Sequence, residues 1–408
     1  MASKTRTALV IGGGIAGPVC AMALRQAGIE ATVHEAHHRT ADGVGGGLGI
    51  APNGLDALDV VGVGHLVRPI GIPTTGIVLQ DWAGKRLGEF GNPPGVPPTQ
   101  FVWRTDLYRT LYDEATRRGV RIEHGKRLVG VREAPEAVTA QFADGTTAGA
   151  DILIGADGIR STVRTLIDPA APGPRYAGLI SFGARVHHPG VPATRGKMNM
   201  SFGKQAFIGY QVFDDSSAVW FVNLPHPEPM TTAEAQRTSA EQWLALLQRK
   251  FTQDRTPAGR LIAATDPADL VIAGPMENMP KVPAWSRGRM VLVGDSAHAP
   301  SSSSGQGASL SVESAVQLAR CLRDLPHDQA FAAYEQLRRP RVERIIDETT
   351  RKNSNKAAGP VGRVVNNVLM RVVTRLVRPE KAAWMFDHRI DWDAPVSPAD
   401  HRDPARAA

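Results

Sequence analysis

The chain has 408 residues and a mass of 43.7 kDa, enough for two or three units of ~150 residues. Hydrophobic residues make up 42% and charged residues 21%, the balance of a globular protein able to bury a sizeable core. No uncharged apolar run approaches the ~18–20 residues of a membrane span, and the first apolar run is too short for a secretory signal. Two cysteines, Cys20 and Cys321, cannot build a disulfide framework, so a reducing cytoplasm is expected, with no structural metal.

A net charge of +7 and a pI near 9.6 invite a nucleic-acid reading. Between Arg338 and Lys381 there are 12 Lys/Arg against 4 Asp/Glu. No zinc-finger, RRM or homeodomain pattern accompanies this excess. A diffuse basic surface serving anionic cofactors or substrates accounts for it, and no nucleic-acid partner is expected.

Residues 7–11 read as a short apolar strand. It runs into Gly12-Gly13-Gly14-Ile15-Ala16-Gly17, then a helix-period segment to Gly28, then a second strand over 31–34 that ends at Glu35. Strand, G-x-G-x-x-G, helix, strand and acid form the dinucleotide fingerprint in its required context. Gly12, Gly14 and Gly17 let backbone approach a pyrophosphate. The helix N-terminus at Ile15 and Ala16 supplies a positive dipole, and Glu35 accepts from ribose hydroxyls. Pro18 is compatible, because the first helical turn tolerates proline. An adenine dinucleotide is expected, NAD and FAD both remaining open at this point.

Residues 43–52 are glycine-dense, and 53–60 read as a short helix. Stretches 73–103 and 176–275 have a different texture, with strand-like runs such as 202–213 and 218–224 between polar and Pro-rich turns. Between them, 105–118 is helical and 150–155 is a buried strand. After Arg289 strand and helix return: a strand over 290–293, an apolar-faced helix over 308–322 and a long charged helix over 331–355. Residues 361–377 carry a helical apolar stripe, read as a helix bridging two domains rather than lying on a membrane surface. A polar, loose tail follows over 395–408.

Two later motifs narrow the cofactor. The first is Gly155-Ala156-Asp157-Gly158-Ile159-Arg160-Ser161, ending in Arg164. The second is Gly294-Asp295-Ser296-Ala297-His298-Ala299-Pro300, followed by Gly305-Gln306-Gly307-Ala308. In this order and spacing the chain resembles the single-component FAD monooxygenases of the p-hydroxybenzoate and salicylate hydroxylase type, which include tetracycline-inactivating and antibiotic-tailoring members.

The resemblance implies an α/β fold of the α+β kind: a Rossmann-like FAD-binding domain (1–72, 104–175 and 276–330), an inserted β-sheet substrate domain (73–103 and 176–275) and C-terminal helices (331–394). It implies FAD as cofactor and NADPH or NADH as co-substrate. The activity would be hydroxylation of an aromatic or polycyclic substrate through a flavin C4a-hydroperoxide, by a monomer or homodimer. Epoxidation, Baeyer–Villiger insertion, or a reductase that does not activate oxygen stay open. Asp295 would hold the ribityl hydroxyls. The amides of Gly305, Gly307 and Ala308 would face the flavin N1–C2=O edge. Arg104, Gly47, Leu128 and Asp157 would contact FAD, Arg160 would meet the nicotinamide cofactor, and Pro300 would lie beside the reactive flavin edge. His298 is expected to be a packed residue rather than an acid or base, and Cys20 a small core residue. On strand 202–213, Phe207, Gly209 and Gln211 alternate in facing with Ile208, Tyr210 and Val212. Tyr210 and Asn223 are candidates for orienting substrate, with Arg185 or Arg195 as partners for a carboxylate. The chain departs from the family in Ala36-His37-His38-Arg39 after the ribose acid and in four serines over 301–304, which favour a roomy pocket.

Overall fold

The computed structural model describes residues 4–38, 46–301, 305–353 and 382–397. The expected bridging helix at 361–377, the centre of the serine loop and most of the expected tail lie outside them.

Ala8, Leu9, Val10 and Ile11 are each at most 4% exposed, as in a strand covered on both faces. This strand, Thr7–Ile11, lies inside a six-stranded sheet. The order is Ser286–Arg287, Met290–Leu292, Ile152–Gly155, Thr7–Ile11, Glu30–His34, Arg121–Glu123. All pairings are parallel except the first. Ile11 pairs with both Gly155 and His34, and Gly155 pairs with Leu292. Gly12, Glu35, Asp157 and Asp295 therefore all follow strand ends on one carboxyl edge, where open α/β sheets bind ligands. Helices Ala16–Gln26 and Gly307–Asp324, each buried along most of its length, pack against each other.

A seven-stranded sheet forms the second layer, in the order Val271–Asn278, Arg175–His187, Ser217–Pro225, Phe207–Val212, Lys197–Phe202, Gly76–Asp81, Arg86–Gly91. Strands from both β-rich stretches share it. The join is the parallel pairing of Lys197–Phe202 with Gly76–Asp81. Strand Thr99–Trp103 goes elsewhere: with Gly47–Ile50 and Ile72–Thr74 it makes a small three-stranded sheet beside the cofactor edge. Gln211 ties the two together, its Oε1 accepting from Thr74 Oγ1 at 3.0 Å.

One face of the large sheet is sealed by helices Ala240–Phe251 and Ala258–Ala263. Phe182, Tyr210, Trp220 and Val222 pack there against Trp243, Leu247, Phe251 and Leu261. A capping box between Ser239 and Gln242 starts the longer helix. At the other end of the chain, helix His327–Asn353 anchors to the six-stranded sheet through Tyr334, whose hydroxyl donates to Leu292 O at 3.1 Å. In the expected loose tail, Val396 is buried and its N–H donates to Asp324 Oδ2 at 2.8 Å. Among the described residues no helix is long and apolar enough to cross a membrane.

Leu247, fully buried between helix and sheet, gives a direct check of this layering. Leu247→Ala is expected to lower stability by about 2–5 kcal/mol in denaturant unfolding. Folded protein should keep its full cofactor content, since the cluster around Leu247 includes none of Gly12, Glu35, Asp157 or Asp295.

Candidate active site

At the first turn the backbone runs against itself. Gly12 has φ +105°, and a Cβ there would lie 2.4 Å from Ala156 O, while a Cβ on Gly17 would lie 1.9 Å from Gly12 O. Only glycine fits either place. Glu35 closes the turn: its carboxylate accepts from Gly13 N at 2.7 Å and His37 N at 2.8 Å. A Cβ on Gly14 would meet no atom within 4 Å. Helix Ala16–Gln26 begins at Ile15 with no side-chain cap and no acid in its first turn. Its leading N–H groups and dipole are thus available to an anion.

The later motifs are bound to each other as well as to this turn. Asp157 accepts from Ser161 Oγ at 2.5 Å and from Val163 N at 3.0 Å, so its carboxylate is committed to the start of helix Thr162–Ile167. Arg164 donates to Ile159 O at 2.7 Å and to Ser296 O at 3.0 Å. Ser296 Oγ lies 2.6 Å from Gly155 O. Asp295 follows Gly294, where a Cβ would lie 2.8 Å from Ser311 Oγ and 3.2 Å from Ala16 Cβ. Burial raises the Asp295 pKa, and Arg104 opposes the shift. The exposed Arg104 opens helix Arg104–Arg117, and its N–H donates to Gly46 O at 3.1 Å.

Helix Gly307–Asp324 also begins without a side-chain cap or a first-turn acid. Gly305 before it has φ +63° with no atom within 4 Å of a would-be Cβ, and Pro300 Cγ lies 3.7 Å from the Cβ position of Gly307. Gly47 passes under Phe101, whose ring would collide with any side chain there. Leu128 is 5% exposed and starts strand Leu128–Glu133, paired with Phe142, behind Glu30–His34. Arg160 pairs with Glu277 at 2.7 Å on the surface.

The substrate candidates separate. Alternation places Tyr210 on the helix-sealed face, 4% exposed, its hydroxyl 3.4 Å from Gln80 Oε1 and its pKa pushed up to about 12 by burial. Tyr210 therefore packs between the sheet and the helices. Asn223 lies on the opposite face, accepting from Ser181 Oγ at 3.1 Å. Its register neighbours across the sheet include Phe207 and Phe202, and Phe221 and Arg185 share its face. Phe202, Phe207 and Phe221 form a strip with ring centroids 5.2 and 6.0 Å apart. Gly209 lets Phe221 lie across the sheet, since a Cβ there would be 2.2 Å from its ring. Arg185 reaches over the ring of Trp103 at 5.3 Å, next to Arg104.

Residues 5–349 match the family described as the FAD binding domain. The chain belongs to that family. It is 30% identical to an FAD-dependent urate hydroxylase of Klebsiella pneumoniae, over 83% of this chain and 87% of that protein. It is 26% identical to a 3-hydroxybenzoate 6-hydroxylase of Klebsiella oxytoca, over 95% and 98%. A crystal structure of Klebsiella pneumoniae HpxO with FAD and uric acid superposes with a TM-score of 0.81 at 25% identity, covering 94% of this chain and 96% of that one. A tetracycline destructase shares the fold, with a TM-score of 0.66 at 21% identity over 92% and 98% of the two chains. The protein is an oxidoreductase, an FAD-dependent monooxygenase. FAD fits the edge described: two uncapped helix starts face it, and Gly14, Gly46 and Gly305 leave side-chain space open.

Sequence reasoning missed a buried polar set behind this FAD edge: Asn53, Glu313, Arg338 and Arg341, each at most 7% exposed. The one available signal was Glu313 on the apolar-faced helix. The arginines were hidden in a helix already rich in charge. Beside them His298 meets Ser314 Oγ at 2.8 Å through Nε2, and burial with Arg338 nearby lowers its pKa to about 3.

Two outcomes follow for the FAD edge. Asp295→Ala should purify largely free of flavin, with Arg104→Ala weakening FAD retention; full FAD occupancy in absorbance spectra would refute the ribityl assignment. For His298, the unfolded ring takes a proton near 6.5 and the folded ring only near 3. Acidification within that window therefore favours the unfolded chain, at up to about 1.4 kcal/mol per pH unit. Denaturant unfolding across this window should show the slope, and His298→Gln should reduce it.

Proposed function

We propose that the protein hydroxylates an electron-rich aromatic or polycyclic substrate, using NADPH or NADH and O₂. The supporting observation is the face of the seven-stranded sheet opposite the two helices, turned toward Trp103. Its Phe202–Phe207–Phe221 strip offers ring surfaces, Asn223 and Ser181 offer polar groups, and Arg185 leads toward Trp103 and the cofactor edge. A flat ring stacks well on such a floor. The relatives' named substrates, urate and 3-hydroxybenzoate, are small rings of this kind.

Glu35 and the first turn would hold the adenosine end, Asp295 the ribityl chain, and the amides of Gly307 and Ala308 the flavin edge, with Pro300 alongside. When bound, FAD would supply the chemistry: electrons from the nicotinamide pass to O₂, one oxygen atom enters the substrate and the other leaves as water. The protein binds, orients and dries the site. Asn223 positions a substrate polar group, and the uncapped start of helix Gly307–Asp324 favours negative charge at the flavin. The seven-stranded sheet acts as the substrate unit. The chain carries one dinucleotide fingerprint, so the nicotinamide would bind transiently without a second Rossmann unit.

Stopped-flow mixing of oxidised protein with NAD(P)H, and of the reduced protein with O₂, across phenols and polycyclic aromatics, tests this reading. The expected result is faster flavin reduction with one panel member and product carrying label from ¹⁸O₂. Reoxidation that releases only hydrogen peroxide with every panel member, or unlabelled product, would overturn it in favour of a reductase.

A further inference from the structure

Glu313 sits within helix Gly307–Asp324 with no exposed surface. Its Oε2 accepts from Arg338 Nη1 at 2.5 Å and Arg341 Nε at 3.0 Å. Its Oε1 accepts from Arg341 Nη2 at 3.0 Å and Asn53 Nδ2 at 2.6 Å. Burial opposes ionisation of Glu313, but the two arginines outweigh it and hold the carboxyl well below the usual carboxylate range. The cluster thus holds two cations against one anion.

The set extends to both ends of the Pro300–Gly307 connection. Asn53 Nδ2 also donates to Gln306 Oε1 at 3.0 Å, and Gln306, fully buried, lies between the two glycines that precede Ala308. On the other side, Arg338 Nε donates to Ser314 Oγ at 3.3 Å, which meets His298 two residues before Pro300. Helix Pro52–Val60 is pressed onto the same helix: a Cβ on Gly54 would lie 2.6 Å from Ser309 Oγ, and Ala51 N donates to that oxygen at 3.0 Å. Arg341 further donates to Trp384 O at 3.0 Å and Met385 O at 2.8 Å, tying in the C-terminal segment.

We propose that this buried hub sets the redox poise of the bound flavin: Glu313, Asn53 and Gln306 are positioning residues that fix the amides of Gly307 and Ala308, and the excess positive charge behind them favours reduced FAD. The inference rests on the FAD edge assigned above. Asn53 links the charges to the turn without itself being charged, so removing it breaks the link while both arginines keep Glu313. Reduced flavin carries more negative charge than oxidised flavin, and a loosened turn stabilises it less.

The test measures the midpoint potential of bound FAD in the unsubstituted holoenzyme, in Asn53→Ala and in Arg341→Lys, together with thermal stability. In Asn53→Ala the preference for reduced over oxidised FAD should fall about tenfold, a drop of about 30 mV for a two-electron couple. Arg341→Lys keeps the charge and loses the fork, and should fall in the same direction. It also carries the test if Asn53→Ala retains too little flavin to titrate. Asn53→Ser, which restores a donor, should recover part of the drop. Lowered thermal stability with an unchanged potential is what a merely structural role would give, and that result overturns the proposal. Full flavin retention in Asp295→Ala would instead locate the failure in the FAD assignment.

Discussion

Everything at the cofactor edge depends on one constraint, the register of three parallel strands. Ile11 stands beside Gly155, and Gly155 beside Leu292. A shift of one residue in either pairing would turn the apolar strand residues to the opposite face. It would also carry Asp157 or Asp295 away from the turn at Gly12. The register is held because all three strands are apolar on both faces and are covered on both sides. It is held further by contacts that only small residues permit: Gly12 against Ala156, Gly155 against Val163, Gly294 against Ser311. Three motifs far apart in sequence converge because their strands cannot slide.

The same period-two rule governs the second sheet, with a different outcome. Strand Phe207–Val212 is buried at every position, so hydrophobicity does not reveal which face is sealed. The helices decide it. Once Ala240–Phe251 and Ala258–Ala263 cover Ile208, Tyr210 and Val212, the alternate residues Phe207, Gly209 and Gln211 must look toward the small sheet and Trp103. Tyr210 and Asn223 had equal claims as polar residues among apolar ones. Their parity relative to the helices, a tertiary fact, places them on opposite faces.

The cofactor half was legible because its chemistry demands particular residues in fixed local order. Gly12 and Gly17 meet backbone atoms at distances no side chain tolerates, and Glu35 ends its strand. Such requirements are written locally. Asp157 shows the limit: its place in the motif was readable, but its carboxylate caps a helix, a detail set by where Ser161 and Val163 turn. The hub was less legible still. Asn53, Glu313, Arg338 and Arg341 come from three helices, and nothing in local composition distinguishes Arg338 from Arg344 on the same helix. Yet Arg338 is 1% exposed, while the side chain of Arg344 is 56% exposed. The helical phase that separates them is hidden by the density of charge.

Charge is a costly way to fill that space. Moving ions out of water costs several kcal/mol each, and well-packed apolar residues often match or exceed the stability of a buried ion cluster. An apolar replacement, however, would lose two things this cluster provides. It has directional bonds, which constrain Asn53 and Gln306 to one geometry where aliphatic side chains would allow several. It also has a net charge, which in a poorly polarisable interior acts over a longer range than at the surface. Both effects arrive at the same turn, whose own amides point out along the helix axis. A site that must favour a negatively charged cofactor ring gains from a rigid donor array with a cation fixed behind it. That shared direction, from Arg341 through Glu313 and Asn53 to Gln306, is the physical reason to read the cluster as part of the redox site rather than as packing that happens to be polar.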